Sequence, residues 1–158
     1  MIDVTVRFVS HPGLFTKLCR FAQYGFWATH CEAIMPDKRR LSAWFLKGGV
    51  RILPADYDAG EFDREQFVTL SLTGPQASAF FNFLYDQVGK PYDWRSIVAF
   101  YAQWFRPSWQ EDDAWFCDEL LAGALVAAGV FPQKMASERN RITVFDFYLV
   151  SGMLAKGE

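Results

Sequence analysis

Trp115-Phe116-Cys117-Asp118-Glu119-Leu120-Leu121 opens a helix that the apolar pattern carries to about Ala128, just before Gly129. Cys117, Leu120, Leu121, Ala124, Leu125 and Ala128 share one face, and that stripe needs another element beneath it. Cys117 falls in the first turn, directly after a loop at 106–113. Backbone N–H groups at such a helix end stabilise a thiolate. Two readings of Cys117 stand side by side: a small core residue on an apolar stripe, and a nucleophile. Asp118 and Glu119 suit the positive end of the helix dipole, although their charge opposes thiolate formation unless they point away.

Upstream, residues 2 to 9 alternate Ile2, Val4, Val6 and Phe8 with polar partners, the period of a half-buried strand, and His11-Pro12-Gly13 ends it. Leu14, Leu18, Phe21 and Ala22 predict a short amphipathic helix stopping near Gly25. Residues 26 to 35 and 41 to 46, joined by Pro36-Asp37-Lys38-Arg39-Arg40, read as a hairpin whose basic cluster is solvated; Gly48-Gly49 bends the chain into a strand at 50 to 53. Another strand covers 67 to 72. Thr73 and Gln76 then form a capping-box pattern for a helix along Ala77, Phe80, Phe81, Leu84, Tyr85 and Val88, closed by Gly89. Residues 94 to 105 look helical and apolar on several sides, as a buried helix or a groove wall would. An element at 143 to 155 has no decided type. Strand, helix, a cluster of strands, then helices predict an α+β fold, with one domain over 1–158.

Composition bounds the chemistry. A chain of 158 residues with 51% apolar content supports one sizeable core, and an 18% aromatic fraction builds it on rings. A net charge of −2 gives no electrostatic footprint for nucleic acid or for anionic lipid. Cys19, Cys31 and Cys117 show neither a CxxC pair nor zinc-ligand spacing, which argues against a structural metal and a disulfide framework. No phosphate-binding glycine motif is present. The N-terminus reads as a strand rather than a signal peptide and no apolar run reaches membrane-spanning length, so the expectation is a cytoplasmic or phage-associated protein without a membrane span.

Two histidines are available as bases. His30, in Thr29-His30-Cys31-Glu32, shares a strand face with Glu32, and side chains two rises apart, roughly 6.6 Å between Cα atoms, can approach. Glu32 is thereby placed to orient or charge-stabilise the imidazole. Cys31 points to the opposite face and makes a poor nucleophile. His11, in its turn, reads as a surface residue; Tyr92-Asp93-Trp94 reads either as a capped helix entrance or as aromatic surface offered to substrate.

Thr29-His30-Cys31-Glu32, Gly48-Gly49-Val50, Gly89-Lys90-Pro91-Tyr92-Asp93-Trp94 and Phe116-Cys117-Asp118-Glu119-Leu120, in that order, resemble the circularly permuted papain-like group of the NlpC/P60 superfamily, the YaeF/YiiX-like amidases and peptidases. The resemblance covers roughly residues 5 to 130. It implies a small antiparallel sheet or partly open barrel carrying His30 and packed against the Cys117 helix. It also implies roles: Cys117 as nucleophile, His30 as base and then acid, Glu32 as polar third member, with amide hydrolysis through an acyl-enzyme and neither metal nor cofactor. Relatives also draw the third member from the next strand, where this chain has Ser42. Asp118 stands where serine is common. Peptides or peptidoglycan fragments are the implied substrates. Two alternatives are an acyltransferase or thioesterase on lipid acyl substrates, compatible with the aromatics of 94 to 105, and a catalytically silent binding module of phage or prophage origin.

Overall fold

The computed structural model describes residues 1–93, 114–137 and 142–155. Five strands, β1 (Ile2–Ser10), β2 (His30–Ile34), β3 (Arg40–Trp44), β4 (Gly49–Leu53) and β5 (Arg64–Leu72), form an open antiparallel sheet in the order β4-β3-β2-β1-β5. The helices are α1 (Leu14–Ala22), α2 (Gly74–Gln87), α3 (Cys117–Ala127), α4 (Lys134–Ser137) and α5 (Val144–Leu154). The architecture is α+β. The helical segment expected at 94 to 105, and the acyl groove read from its aromatics, lie outside the described residues.

Period-two patterning sets the sheet's two faces. Val4, Val6 and Phe8 of β1, Cys31 and Ala33 of β2, and Leu41 and Ala43 of β3 are buried in one core with Phe80 and Leu84 of α2, Leu120, Leu121 and Leu125 of α3, and Phe147 of α5. Phe8 anchors this layer, its ring 5.9 Å from Phe147 and edge-on to Tyr148 at 5.0 Å. The opposite face is polar and still buried: Arg7, Glu32 and Ser42 lie on it, beneath the connection at 54–63. An ordinary half-solvated sheet would turn that face to water.

Boundaries follow local chemistry. Thr73 caps α2 by accepting the Gln76 N–H at 3.4 Å, while Gln76 Oε1 accepts the Thr73 N–H at 3.0 Å. The element at 143 to 155 is a helix, because Thr143 and Asp146 exchange the same pair of bonds at 2.9 and 3.2 Å. β5 begins at Arg64, earlier than its apolar pattern, because β1 pairs with it along its whole length from Ser10↔Arg64 to Ile2↔Leu72.

Candidate functional site

Cys117 is the first residue of α3. The chain arrives through Phe116 in an extended conformation, and Glu119 Oε2 accepts the Phe116 N–H at 3.3 Å. Trp115 fixes the approach. Its backbone pairs with Pro91 and Asp93 around a parallel bridge to Tyr92, and its indole N–H donates to Gln87 at 3.1 Å. The Tyr92 ring lies edge-on to Phe116 at 5.5 Å and to Phe45 at 5.7 Å. Cys117 keeps only 5% of its surface exposed, with its thiol 3.7 Å from Asp118 Oδ1 and against the thiol of Cys31. Burial pushes the Asp118 carboxyl up to about 7, with Glu119 adding to the shift, so much of it is uncharged at neutral pH. That weakens the opposition between Asp118 and a thiolate anticipated from the sequence.

His30 and Glu32 occupy the polar face. Glu32 is fully buried; its Oε1 accepts from Arg7 at 3.2 Å and from the Tyr57 hydroxyl at 2.8 Å, and lies 3.9 Å from His30 Nε2. Arg7 spans the centre, donating to both oxygens of Asp58 at 3.1 and 2.9 Å and to Glu65 at 2.7 Å. Asp58 Oδ2 also meets His11 Nε2 at 3.0 Å. Trp44 donates to the Tyr57 oxygen at 3.1 Å and packs its ring 5.5 Å from that of His30. Three atoms here, His30 Nε2, Glu32 Oε2 and Arg40 Nε, are buried without a hydrogen-bond partner, and Arg40 Nε is 3.9 Å from Glu32 Oε2. Such a gap among donors and acceptors suits a bridging water.

Burial dominates the electrostatics. It lowers the His30 imidazole to about 3, helped by His11 and Arg7, and raises Glu32 to about 7 against the pull of Arg7 and Tyr57. A neutral imidazole facing a carboxyl of middling acidity is the resulting pair.

His30 and Glu32 are therefore brought together. Cys117 is brought to Cys31, the residue after His30, and to Asp118. Ser42 is committed elsewhere, donating to the Cys31 carbonyl at 2.6 Å. Two expectations shift: His11 is half-buried and paired with Asp58, and Arg40 turns inward, leaving Arg39 to pair with Asp37 in the solvated turn. Arg7, Tyr57 and Asp58 were not singled out in the sequence. A buried Glu32 requires a counter-charge, and Arg7, alternating with Val6 and Phe8, was the signal for one.

Among the described residues no group of three or more His, Cys, Asp or Glu side chains is arranged to hold a metal ion, and no helix is long and apolar enough to cross a membrane. No family model matches the chain, and no curated protein matches it. Among solved structures, the chain is similar to the metalloprotein YiiX of Escherichia coli O157:H7, a DUF1105 protein, at 20% identity and a TM-score of 0.57, over 78% of this chain. The chain spans 64% of YiiX's length. The likeness is one of fold.

Proposed function

We propose that the chain is a single-domain cysteine hydrolase of the permuted papain-like NlpC/P60 type, acting on an amide bond with Cys117 as nucleophile, His30 as base and Glu32 as its orienting partner. One observation supports the reading: Cys117 begins a helix packed on the core face of β2, the strand that starts at His30, although the thiol meets Cys31 there while His30 lies with Glu32 on the opposite, polar face. The first step requires His30 to turn from the polar face toward Cys117 and take the thiol proton. The thiolate then attacks the carbonyl carbon, the N–H groups at the start of α3 stabilise the oxyanion, and the amine leaves with the proton from His30. Water, deprotonated by the same imidazole, releases the acid and restores the thiol. The fold likeness to YiiX supports this reading, and wall peptides in the cytoplasm or on a phage particle are the proposed setting.

A specific observation favours a second reading, a catalytically silent module. The Cys117 thiol is nearly buried and rests against Asp118, and His30 Nε2 faces Glu32. Iodoacetamide separates the two. For an enzyme, Cys117 alkylates faster than Cys19 near neutral pH and loses that advantage in His30→Ala, and wall peptides or acyl esters turn over in a Cys117→Ala-sensitive manner. Equal or slower labelling of Cys117, with no turnover, establishes the module.

A further inference from the structure

Beside Cys117 the proposed reaction leaves a nucleophilic side chain unused. Cys31 lies within β2, paired with Phe8 of β1, and its side chain joins the core face with Leu120 and Leu121 of α3. There its thiol meets that of Cys117, and both are free. The two backbones are anchored separately. The Cys31 carbonyl accepts the Ser42 hydroxyl at 2.6 Å, while Cys117 is held at the start of α3 by the Phe116–Glu119 bond and by Trp115, whose indole donates to Gln87. Two sulfur atoms remote in sequence are thus kept together on separate elements.

Exposure sets the order in which they react. Cys117 keeps 5% of its surface and Cys31 none, so a small oxidant arriving from solvent reaches the Cys117 sulfur first. The N–H groups at the start of α3 favour its thiolate, the form that an oxidant attacks. Burial raises the Cys31 thiol and keeps it protonated, which protects it until an electrophile forms beside it. An oxidised Cys117 sulfur is that electrophile.

We propose that Cys31 is the resolving thiol for Cys117, so that a peroxide converts the pair into a Cys31–Cys117 disulfide that a dithiol reductant reopens. In the first step the Cys117 sulfur attacks one peroxide oxygen, the O–O bond breaks, and hydroxide leaves as water with the thiol proton, giving a sulfenic acid. In the second the Cys31 sulfur attacks the Cys117 sulfur, the S–O bond breaks, and the hydroxyl leaves as water with the Cys31 proton. Two thiols lose two electrons and two protons, and hydrogen peroxide is reduced to two waters. Asp118, whose Oδ1 lies 3.7 Å from the Cys117 thiol and whose charge also acts on Cys31, is the carboxyl that relays the second proton. The bridge needs no imidazole and does not depend on the proposed hydrolysis. Where that reaction holds, the bridge switches its nucleophile off and shields it from irreversible oxidation.

Peptide mapping of the full chain tests it, after treatment of the native protein with excess hydrogen peroxide, blocking with iodoacetamide in urea, and digestion without reductant. The expected product is a linked pair of peptides carrying Cys31 and Cys117 from monomeric protein, with Cys117 alkylation lowered about tenfold or more and restored by dithiothreitol. In Cys31→Ala, peroxide drives Cys117 on to the sulfinic acid and dithiothreitol restores nothing, whereas Cys19→Ala behaves as the parent chain. The linked pair is read in the parent chain, so the result stands even if Cys31→Ala fails to fold. A Cys117 that stays a free thiol, reaches the sulfinic acid with Cys31 still reduced, or bridges to Cys19 or to a second copy of the chain overturns the inference. So does full recovery of Cys117 alkylation by dithiothreitol in a folded Cys31→Ala. Absence of peptide or ester turnover alongside a formed bridge removes the hydrolase reading and leaves this one standing.

Discussion

The thiols of Cys31 and Cys117 face each other where β2 meets the start of α3, so the residue beside His30, rather than the imidazole itself, makes the side-chain contact with the helix. Burial raises the Cys31 thiol well above its ordinary range and the Cys117 contact raises it further, so Cys31 is held as a neutral packing group. Replacing Cys31 by alanine removes one buried sulfur atom and is expected to cost about 1–2 kcal/mol in urea unfolding, with Cys117 still open to alkylation. A fully inert Cys117 in that variant would contradict this division of roles.

Arg7 is the electrostatic keystone of the polar face, bonded to Glu32, Asp58 and Glu65. Arg7→Met leaves two buried carboxyl groups without their shared cation, and the expected loss is about 3–5 kcal/mol. Combining it with Glu32→Gln gives less than the sum of the single effects, because one partner of the lost pair is then neutral. Equilibrium unfolding of the four proteins checks both statements; a loss under about 1 kcal/mol for Arg7→Met would remove Arg7 from this role.

Stability should fall as the medium is made less acidic. Glu32 and Asp118 rise from 4.5 and 3.8 to about 7 on folding, so each stabilises fully below its unfolded value and loses that contribution as pH rises through about 7. His30, lowered from 6.5 to about 3, acts oppositely, its contribution present above 6.5 and lost as pH falls toward 3. Two carboxyls against one imidazole leave one extra proton on the folded state between about pH 4.5 and 6.5. The expected slope is a loss of about 1.4 kcal/mol per pH unit, and Glu32→Gln flattens it. Urea midpoints at pH 5, 5.5 and 6 measure this; an unchanged slope in the variant would mean Glu32 is ionised throughout.

Gly49 has φ of 122°, and a Cβ there would lie 2.1 Å from the Lys90 carbonyl oxygen. That contact belongs to the seam where Val50 donates to Lys90 and accepts from Gly89, which seats Tyr92 beside Cys117. Gly49→Ala is expected to destabilise by about 2 kcal/mol or more and to increase Cys117 labelling as the seam opens. Gly60→Ala, with positive φ but open space around its added carbon, should cost less; equal costs would show that backbone strain alone decides.

Elements with strong local signals were legible. The Thr73–Gln76 cap fixed the start of α2, and the alternation of Val4, Val6 and Phe8 fixed the core face of β1, because capping bonds and strand periodicity are short-range. The type of the element at 143 to 155 was not, since Val144-Phe145-Asp146-Phe147-Tyr148 carries strand-forming and helix-facing residues at once and only the Thr143–Asp146 exchange decides. His30 and Glu32 were placed on one strand face from their two-residue spacing, and His30 Nε2 lies 3.9 Å from Glu32 Oε1, whereas His11 gave no sign of Asp58, which is distant in sequence.

By itself, then, the sequence determined the α+β class, the helix beginning at Cys117, and the shared face of His30 and Glu32, because each rests on hydrogen bonding or periodicity within a few residues. Only the tertiary structure decided that the second sheet face is a buried polar centre built on Arg7, that Cys31 is the residue meeting Cys117, and that α1 turns Phe21 outward. Those facts depend on strand order and on which loops cover which face. Packing between remote segments settles them, and no local pattern encodes it.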